Sequence, residues 1–122
     1  MIHPECPFCR EIDNPDGPTV YIKPDNYPVS LGHMLIIPNQ HYETYFDLPD
    51  EIKEEMWWQL ELAKAEIEDH FQPDGFNVGL NCGKAAGQTI MHVHMHLIPR
   101  YKGDMDNPRG GIRGCIPDKR LY

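Results

Sequence analysis

No stretch of this 122-residue sequence approaches the roughly 20 apolar residues of a membrane-spanning helix, so insertion into a bilayer is not expected. Positive charge is scarce too. Eleven lysines and arginines stand against nineteen aspartates and glutamates, a net charge of −8 with the histidines neutral. Without a basic stripe there is little to displace counterions from a nucleic-acid backbone, which excludes general nucleic-acid binding. A small nucleotide in a local pocket is not excluded, because the field inside a pocket need not follow the net charge. Cysteine is confined to Cys6, Cys9, Cys82 and Cys115, and only the first two show a meaningful spacing. Met1–Glu5 has neither a basic region nor an apolar run, so no signal peptide is expected. The chain reads as cytoplasmic, where thiols stay reduced and a disulfide framework is improbable. There is no internal repeat. The run Cys82–Gly87 is no Walker loop, because its lysine does not follow the second glycine. The length fits one domain with a core that needs no cross-links.

What stands out is the run from Gly87 to Arg100, in which three histidines alternate with apolar residues. In an extended strand, side chains alternate between faces. Met91, Val93, Met95 and Leu97 are then expected to enter a core, with His92, His94 and His96 sharing the other face. A core requires the first set and gains little from the second. Two chemistries fit three neighbouring imidazoles: metal binding, and nucleophilic catalysis by one imidazole oriented by its neighbours. Gly87 permits close approach of backbone to a ligand. Gln88 and Thr89 add neutral hydrogen-bonding groups, and Arg100 adds a fixed cation. These flanks suit a phosphate ester better than a bare metal, and no carboxylate ligand motif accompanies the triad.

The rest of the chain suggests an α+β fold with an antiparallel sheet. Thr19–Ile22 has strand character, residues 24–28 are turn chemistry, and Met34–Ile37, after Gly32-His33, is a buried strand closed by Pro38. Asp47 is placed to cap a long helix with Pro49 in its first turn, running to about His70. Ile52, Met56, Leu60, Ala63 and Ile67 form its apolar stripe. Trp57 and Trp58 cannot both lie on that stripe; a subunit interface and simple edge packing both account for the extra ring. Phe76, Val78 and Leu80 are expected inward, with Asn77 and Asn81 outward. Residues 1–18 read as an irregular arm and residues 101–122 as a mobile, locally basic tail. His3 and His70 read as surface histidines.

At this point the residues resemble a family. His92-Val93-His94-Met95-His96-Leu97-Ile98 is similar to the signature of the histidine-triad (HIT) nucleotide hydrolases and transferases. Gly87-Gln88-Thr89 resembles that family's lead-in, and Gly32-His33-Met34-Leu35-Ile36-Ile37-Pro38 resembles its upstream segment. The likeness spans roughly residues 6–103 and implies a single HIT domain over 1–122. It implies a half-barrel of antiparallel strands with one long helix packed on it, and a homodimer. It also implies that His94 attacks the α-phosphorus of a nucleotide, giving a nucleotidyl-histidine that water hydrolyses. By the same likeness, His96 binds the α-phosphate near the Gly87 loop, and Gln88 and Thr89 address phosphate or leaving group. Asp25 holds the ribose hydroxyls of a purine nucleotide, Asn81 lies near the phosphates, and His33 lines the site. Gln88-Thr89 and Pro99-Arg100 look more like the dinucleoside-polyphosphate branch than the phosphoramidate branch.

Cys6-Pro7-Phe8-Cys9 suggests a metal knuckle or a redox pair. A redox motif usually opens a helix after a strand, and no such pattern follows. A structural zinc needs two more ligands. Some HIT proteins resemble this one in pairing the two cysteines with a histidine after the Gly-His strand and with the first triad histidine. Here that implies zinc held by Cys6, Cys9, His41 and His92. Cys82 and Cys115 read as small buried or neutral residues. Two other functions remain in view: a zinc-dependent hydrolase using triad histidines as catalytic ligands, and a nucleotide-binding regulatory module with little turnover.

Overall fold

Alternation along the strands sets the layers. The computed structural model describes residues 5–10 and 18–122. It contains a short helix α1 (Pro7–Arg10), strands β1 (Val20–Pro24) and β2 (Met34–Pro38), a long helix α2 (Asp50–Phe71), and strands β3 (Gly75–Leu80) and β4 (Met95–Arg100). The strands form one antiparallel sheet in the order β1-β2-β4-β3. Val20, Ile36, Met95 and Leu97 face α2 and meet its Met56, Ala63 and Ile67 in the main core. Burying each large apolar side chain there contributes about 1.5–3 kcal/mol. Leu35 and Ile37 face the other way and pack with Cys6, Phe8 and Cys9 of the N-terminal segment. The sheet therefore has α2 on one face and the Cys-x-x-Cys turn on the other.

The helix stripe is the one expected. Ile52 and Leu60 pack at its margins and Met56, Ala63 and Ile67 are buried. The helix ends with Gln72 in the left-handed region. Its start differs from expectation. Pro49 occupies the cap position, and Asp47 instead closes a capping box with Thr44 around the preceding 3-10 turn. Trp57 donates from its indole N–H to the Tyr45 hydroxyl and packs edge-on to that ring. Trp58 and Leu62, one helical turn apart, are both exposed.

The histidine run also departs from one continuous strand. β4 begins only at Met95, so His96 alone of the three lies in the sheet. The cause is Pro38. Extending the β2–β4 register past Ile36↔Met95 sets Pro38 opposite Val93, and proline has no N–H to continue the ladder. Val93 N–H bonds the Tyr42 carbonyl instead. Val93, Met95 and Leu97 enter the core as expected, whereas Met91 lines a surface hollow. On β3, Phe76 and Leu80 pack on the core while Val78 is exposed, a correction to its expected inward position.

Pro7–Arg10, within the arm read as irregular, form a helical turn; His3 lies outside the described residues. His70 is exposed, as expected. The tail, read as mobile, contains two 3-10 turns at Gly111–Cys115 and Pro117–Lys119. Among the described residues, no helix is long and apolar enough to cross a membrane.

Candidate active site

The three histidines differ in what their ring nitrogens meet, and each partner fixes a tautomer. His94 Nδ1 lies 2.8 Å from the His92 carbonyl oxygen. A carbonyl only accepts, so Nδ1 carries the proton and Nε2 keeps a lone pair. His92 is fully buried and reversed: its Nε2–H donates to the Pro38 carbonyl at 2.8 Å, leaving the lone pair on Nδ1. The carbonyl that proline leaves without a ladder thus orients His92. Nδ1 lies 3.4 Å from Cys6 Sγ and 3.6 Å from Cys9 Sγ, and His41 Nδ1 is 3.4 Å from Cys9 Sγ.

His96 belongs to a second chain of contacts. The Val29 N–H donates to His33 Nδ1 at 3.1 Å, so neutral His33 carries its proton on Nε2. That Nε2–H donates to His96 Nδ1 at 2.9 Å, which leaves His96 with an Nε2–H to offer. Asp25 Oδ2 lies 3.4 Å from His33 Nε2 and 3.7 Å from His96 Nδ1, while Oδ1 accepts from the Tyr27 N–H. Burial pushes the His33 pKa down, against the pull of Asp25. Burial first, then the neighbouring His94 and His33, push the His96 pKa down to about 4 despite Asp25. Both rings are therefore neutral near pH 7, as the relay requires. Across the sheet His96 pairs with Gly79, which presents no side chain beside the imidazole.

His33 and His96 line a cavity of about 660 Å³, within the usual range for a small-molecule site. Asn81 and Gly87 contribute to its wall. Gly87 adopts φ +94°, a left-handed conformation that closes the preceding 3-10 turn and favours glycine. Gly32 turns with φ +90° ahead of His33, where a Cβ would meet the Phe71 ring.

Cys6, Cys9, His41 and His92 gather four ligand atoms within 4.8 Å of one another. Ligands of one tetrahedral zinc, with bonds of about 2.3 Å to sulfur and about 2.0 Å to nitrogen, stand about 3.5 Å apart. The observed sulfur–nitrogen separations match that spacing, and the His92 lone pair faces the sulfurs. The four residues therefore fit a metal ion. Burial holds the Cys6 thiol above its ordinary pKa, so metal capture releases a proton.

A family model described as the HIT domain matches residues 16–103. This chain belongs to the HIT family. A bis(5'-adenosyl)-triphosphatase from Dictyostelium discoideum is 39% identical over 80 residues, covering 66% of this chain and 54% of that protein. The crystal structure of a HIT family protein from Bacillus anthracis superposes with a TM-score of 0.77 at 35% identity, covering 83% of this chain and 77% of that one. A zinc-bound histidine triad family protein from Mycobacterium smegmatis matches with a TM-score of 0.67 at 32% identity, covering 73% and 65% of the two chains. The HIT fold and the capacity to hold a metal thus agree with the geometry of the sheet, α2 and the Cys/His cluster.

Not every residue expected at the HIT site faces the histidines. His33, His94, His96 and Asp25 come together, with Gly87 and Asn81 on the adjoining cavity. Gln88 does not join them. Its carbonyl oxygen accepts from the Gly83 N–H at 2.8 Å, and its amide donates to the Glu43 and Ile90 carbonyls at 2.7 and 3.1 Å. Buried and fully hydrogen-bonded, it shapes the loop rather than presenting its amide to a ligand. Thr89 lies on a separate hollow beside Cys6 and His41. Arg100 is bound to Asp104 and Asn77 rather than free at the triad.

Sequence reasoning missed the tail. Ile112, Cys115 and Ile116 wall the same cavity as His96, and Cys115 is exposed rather than buried. These positions lie beyond the segment matched to the family, so the triad motif held no signal for them. Phe8 was missed too: its ring is 5.1 Å from that of His94 and 5.7 Å from that of His92.

Proposed function

We propose that this chain is a nucleotide hydrolase or transferase that cleaves a dinucleoside polyphosphate at the α-phosphate through a nucleotidyl-His94 intermediate. The observation that carries this reading is the His94 tautomer. Its Nδ1–H is held by the His92 carbonyl, and its Nε2 lone pair is available as a nucleophile. In the first displacement a bond forms from Nε2 to phosphorus, and the bridging P–O bond breaks with its electrons going to the departing phosphate. In the second, water attacks phosphorus, the P–N bond breaks, and the water gives up a proton to solvent. The His96 Nε2–H is suited to stabilise the charge on the phosphoryl oxygens, a hydrogen bond that strengthens as that charge grows. His33 and Asp25 orient His96, and Asp25 Oδ2 is the acceptor suited to ribose hydroxyls. Asn81 and the Gly87 backbone lie on the phosphate side of the cavity in this reading. The relative named as a bis(5'-adenosyl)-triphosphatase supports the choice of substrate class.

Zinc at Cys6, Cys9, His41 and His92 is structural in this reading, because four protein ligands leave no open position. When bound it supplies a cross-link between the N-terminal turn and the sheet. The use of all three triad histidines as ligands to one catalytic metal is disfavoured by their divergence. His92 faces the cysteines while His96 faces His33 and Asp25. We further place the chain in the cytoplasm as a homodimer acting as a single HIT domain. Exposed Trp58 and Leu62 on α2 support a subunit contact.

The test is AMP release from diadenosine tetraphosphate by wild type and by His94→Ala, with and without a chelator. Release that disappears in the variant and persists under chelation is the expected result. Loss on chelation with the fold intact by circular dichroism favours the zinc hydrolase. Tight nucleotide binding without turnover favours the regulatory module.

A further inference from the structure

Phe8 sits inside the Cys-x-x-Cys turn, yet its ring belongs to the surroundings of the nucleophile. It is 4% exposed and meets His94 edge-on, with ring centroids 5.1 Å apart and planes at 70°. It meets His92 in the same manner at 5.7 Å and 86°. The Lys23 ammonium lies 5.7 Å from the centroid of the Phe8 ring, and the Tyr21 hydroxyl donates to the Phe8 carbonyl at 3.5 Å. The hydrogen bond from His94 Nδ1 to the His92 carbonyl fixes the tautomer but holds the imidazole at one atom only. Such a ring still turns about that bond unless its faces are packed. Two rings restrain its plane: Phe8, and His96 at 5.2 Å.

What holds Phe8 there is not its own helix. α1 spans four residues, Pro7–Arg10, far short of the length at which a helix is stable alone. Its side chain packs with Leu35 and Ile37 of β2, and the residues on both sides of it are tied down through the cluster. Cys9 N–H donates to Cys6 Sγ at 3.4 Å, and the two sulfurs approach the His92 and His41 ring nitrogens. The same four residues that fit a metal ion thus frame the side chain that packs against His94.

We propose that Phe8 is a positioning residue for His94, and that closure of the Cys6–Cys9–His41–His92 cluster, together with packing on Leu35 and Ile37, keeps it in place. Metal binding on one face of the histidine run is then coupled to the orientation of the nucleophile through the Phe8 ring, beside the direct link from the His92 carbonyl to His94 Nδ1. Phe8 touches neither reacting atom; it acts by limiting the angles at which Nε2 is presented. The inference rests on the reading of His94 as nucleophile, and it assigns the N-terminal turn a part in rate as well as in stability.

Phe8→Leu is the informative variant, because leucine keeps an apolar side chain in the core but removes the flat ring. Four quantities are measured on metal-loaded protein: metal content, unfolding by circular dichroism, the His94 ring resonances by nuclear magnetic resonance, and kcat and KM for diadenosine tetraphosphate. The proposal expects full metal content, a folded protein, and displaced or broadened His94 ring signals. It expects kcat lowered at least about tenfold, in line with the sensitivity of in-line displacement to misplacement of about 1 Å, with KM within about twofold of wild type. Chelation of wild type should move the His94 signals in the same way, and chelation of Phe8→Leu should move them less than chelation of wild type does. Unchanged His94 signals and kcat in Phe8→Leu overturn the proposal, as does a higher KM with unchanged kcat, which makes Phe8 a wall for bound nucleoside. Equal effects of chelation on wild type and Phe8→Leu overturn the coupling. If His94→Ala retains full turnover, the nucleophile reading itself fails, a result separate from any result at Phe8.

Discussion

Three histidines of one type, spaced two apart, have three different surroundings. A carbonyl at Nδ1 makes His94 a base at Nε2, a carbonyl at Nε2 makes His92 a donor of its Nδ1 lone pair, and a relay through His33 makes His96 a hydrogen-bond donor. The alternating motif drew attention to these residues, and the HIT resemblance implied which one attacks. The tautomers were not legible, because they depend on carbonyls of Pro38 and His92 whose positions follow from folding. Gln88 shows the same limit: a polar side chain in a phosphate-binding lead-in reads as a ligand group until its backbone partners are seen. Replacing it with alanine should leave the part-buried Gly83 N–H and the Glu43 and Ile90 carbonyls without this partner, at about 1–3 kcal/mol in all because water can reach some of them. Urea unfolding of Gln88→Ala should show a clear loss of stability, and an unchanged midpoint would contradict its role in the loop. His96 provides a pH test. Its folded pKa of about 4 lies below its ordinary value of 6.5, so the unfolded chain binds the proton first as pH falls. Its contribution to stability is present above the ordinary value and is lost as pH falls from about 6.5 toward about 4. The groups facing it are Asp25, His33 and His94. Wild type should lose more stability than His96→Gln over that interval, and parallel curves would contradict the assignment.

Pro38 is the residue through which one element shapes the site. It ends the β2–β4 ladder, releases Met91–His94 from the sheet and lends its carbonyl to His92. The sequence showed Pro38 closing a strand, but the consequence for the facing strand depends on register, which alternation alone does not specify. The strands and the stripe of α2 were legible because their apolar spacing has the strand and helix periods. The start of α2 was not, since Asp47 serves a 3-10 turn that competes for the same cap. The tail was the least legible element, carrying neither period nor motif, and its contribution emerges only in the cavity wall. Cys115 turns this into a measurement. A nucleotide seated beside His96 should slow alkylation of Cys115 by iodoacetamide severalfold, read by peptide mass spectrometry, while Cys82 serves as the internal control. Equal labelling with and without nucleotide would remove the tail from the binding site.

For the molecule as a whole, the acidic balance and the proposed site do not conflict, since the cavity is lined by neutral imidazoles, apolar side chains and backbone rather than by carboxylates. The exposed pair Trp58 and Leu62 bears on assembly. If α2 lies at a subunit contact, Trp58→Glu should shift the protein toward monomer in sedimentation experiments, whereas an unchanged distribution would leave Trp58 as surface packing. The central claim concerns a covalent bond, and a covalent bond can be weighed. Wild-type protein mixed with diadenosine tetraphosphate, quenched in alkali within milliseconds to seconds and digested, should yield a peptide carrying one adenylyl group on His94. Spectra should show it on neither His92 nor His96, and His94→Ala should lack it. Turnover without any adduct on His94, under quench conditions that preserve an authentic phosphoramidate, would contradict the account and shift the chemistry to direct attack by water.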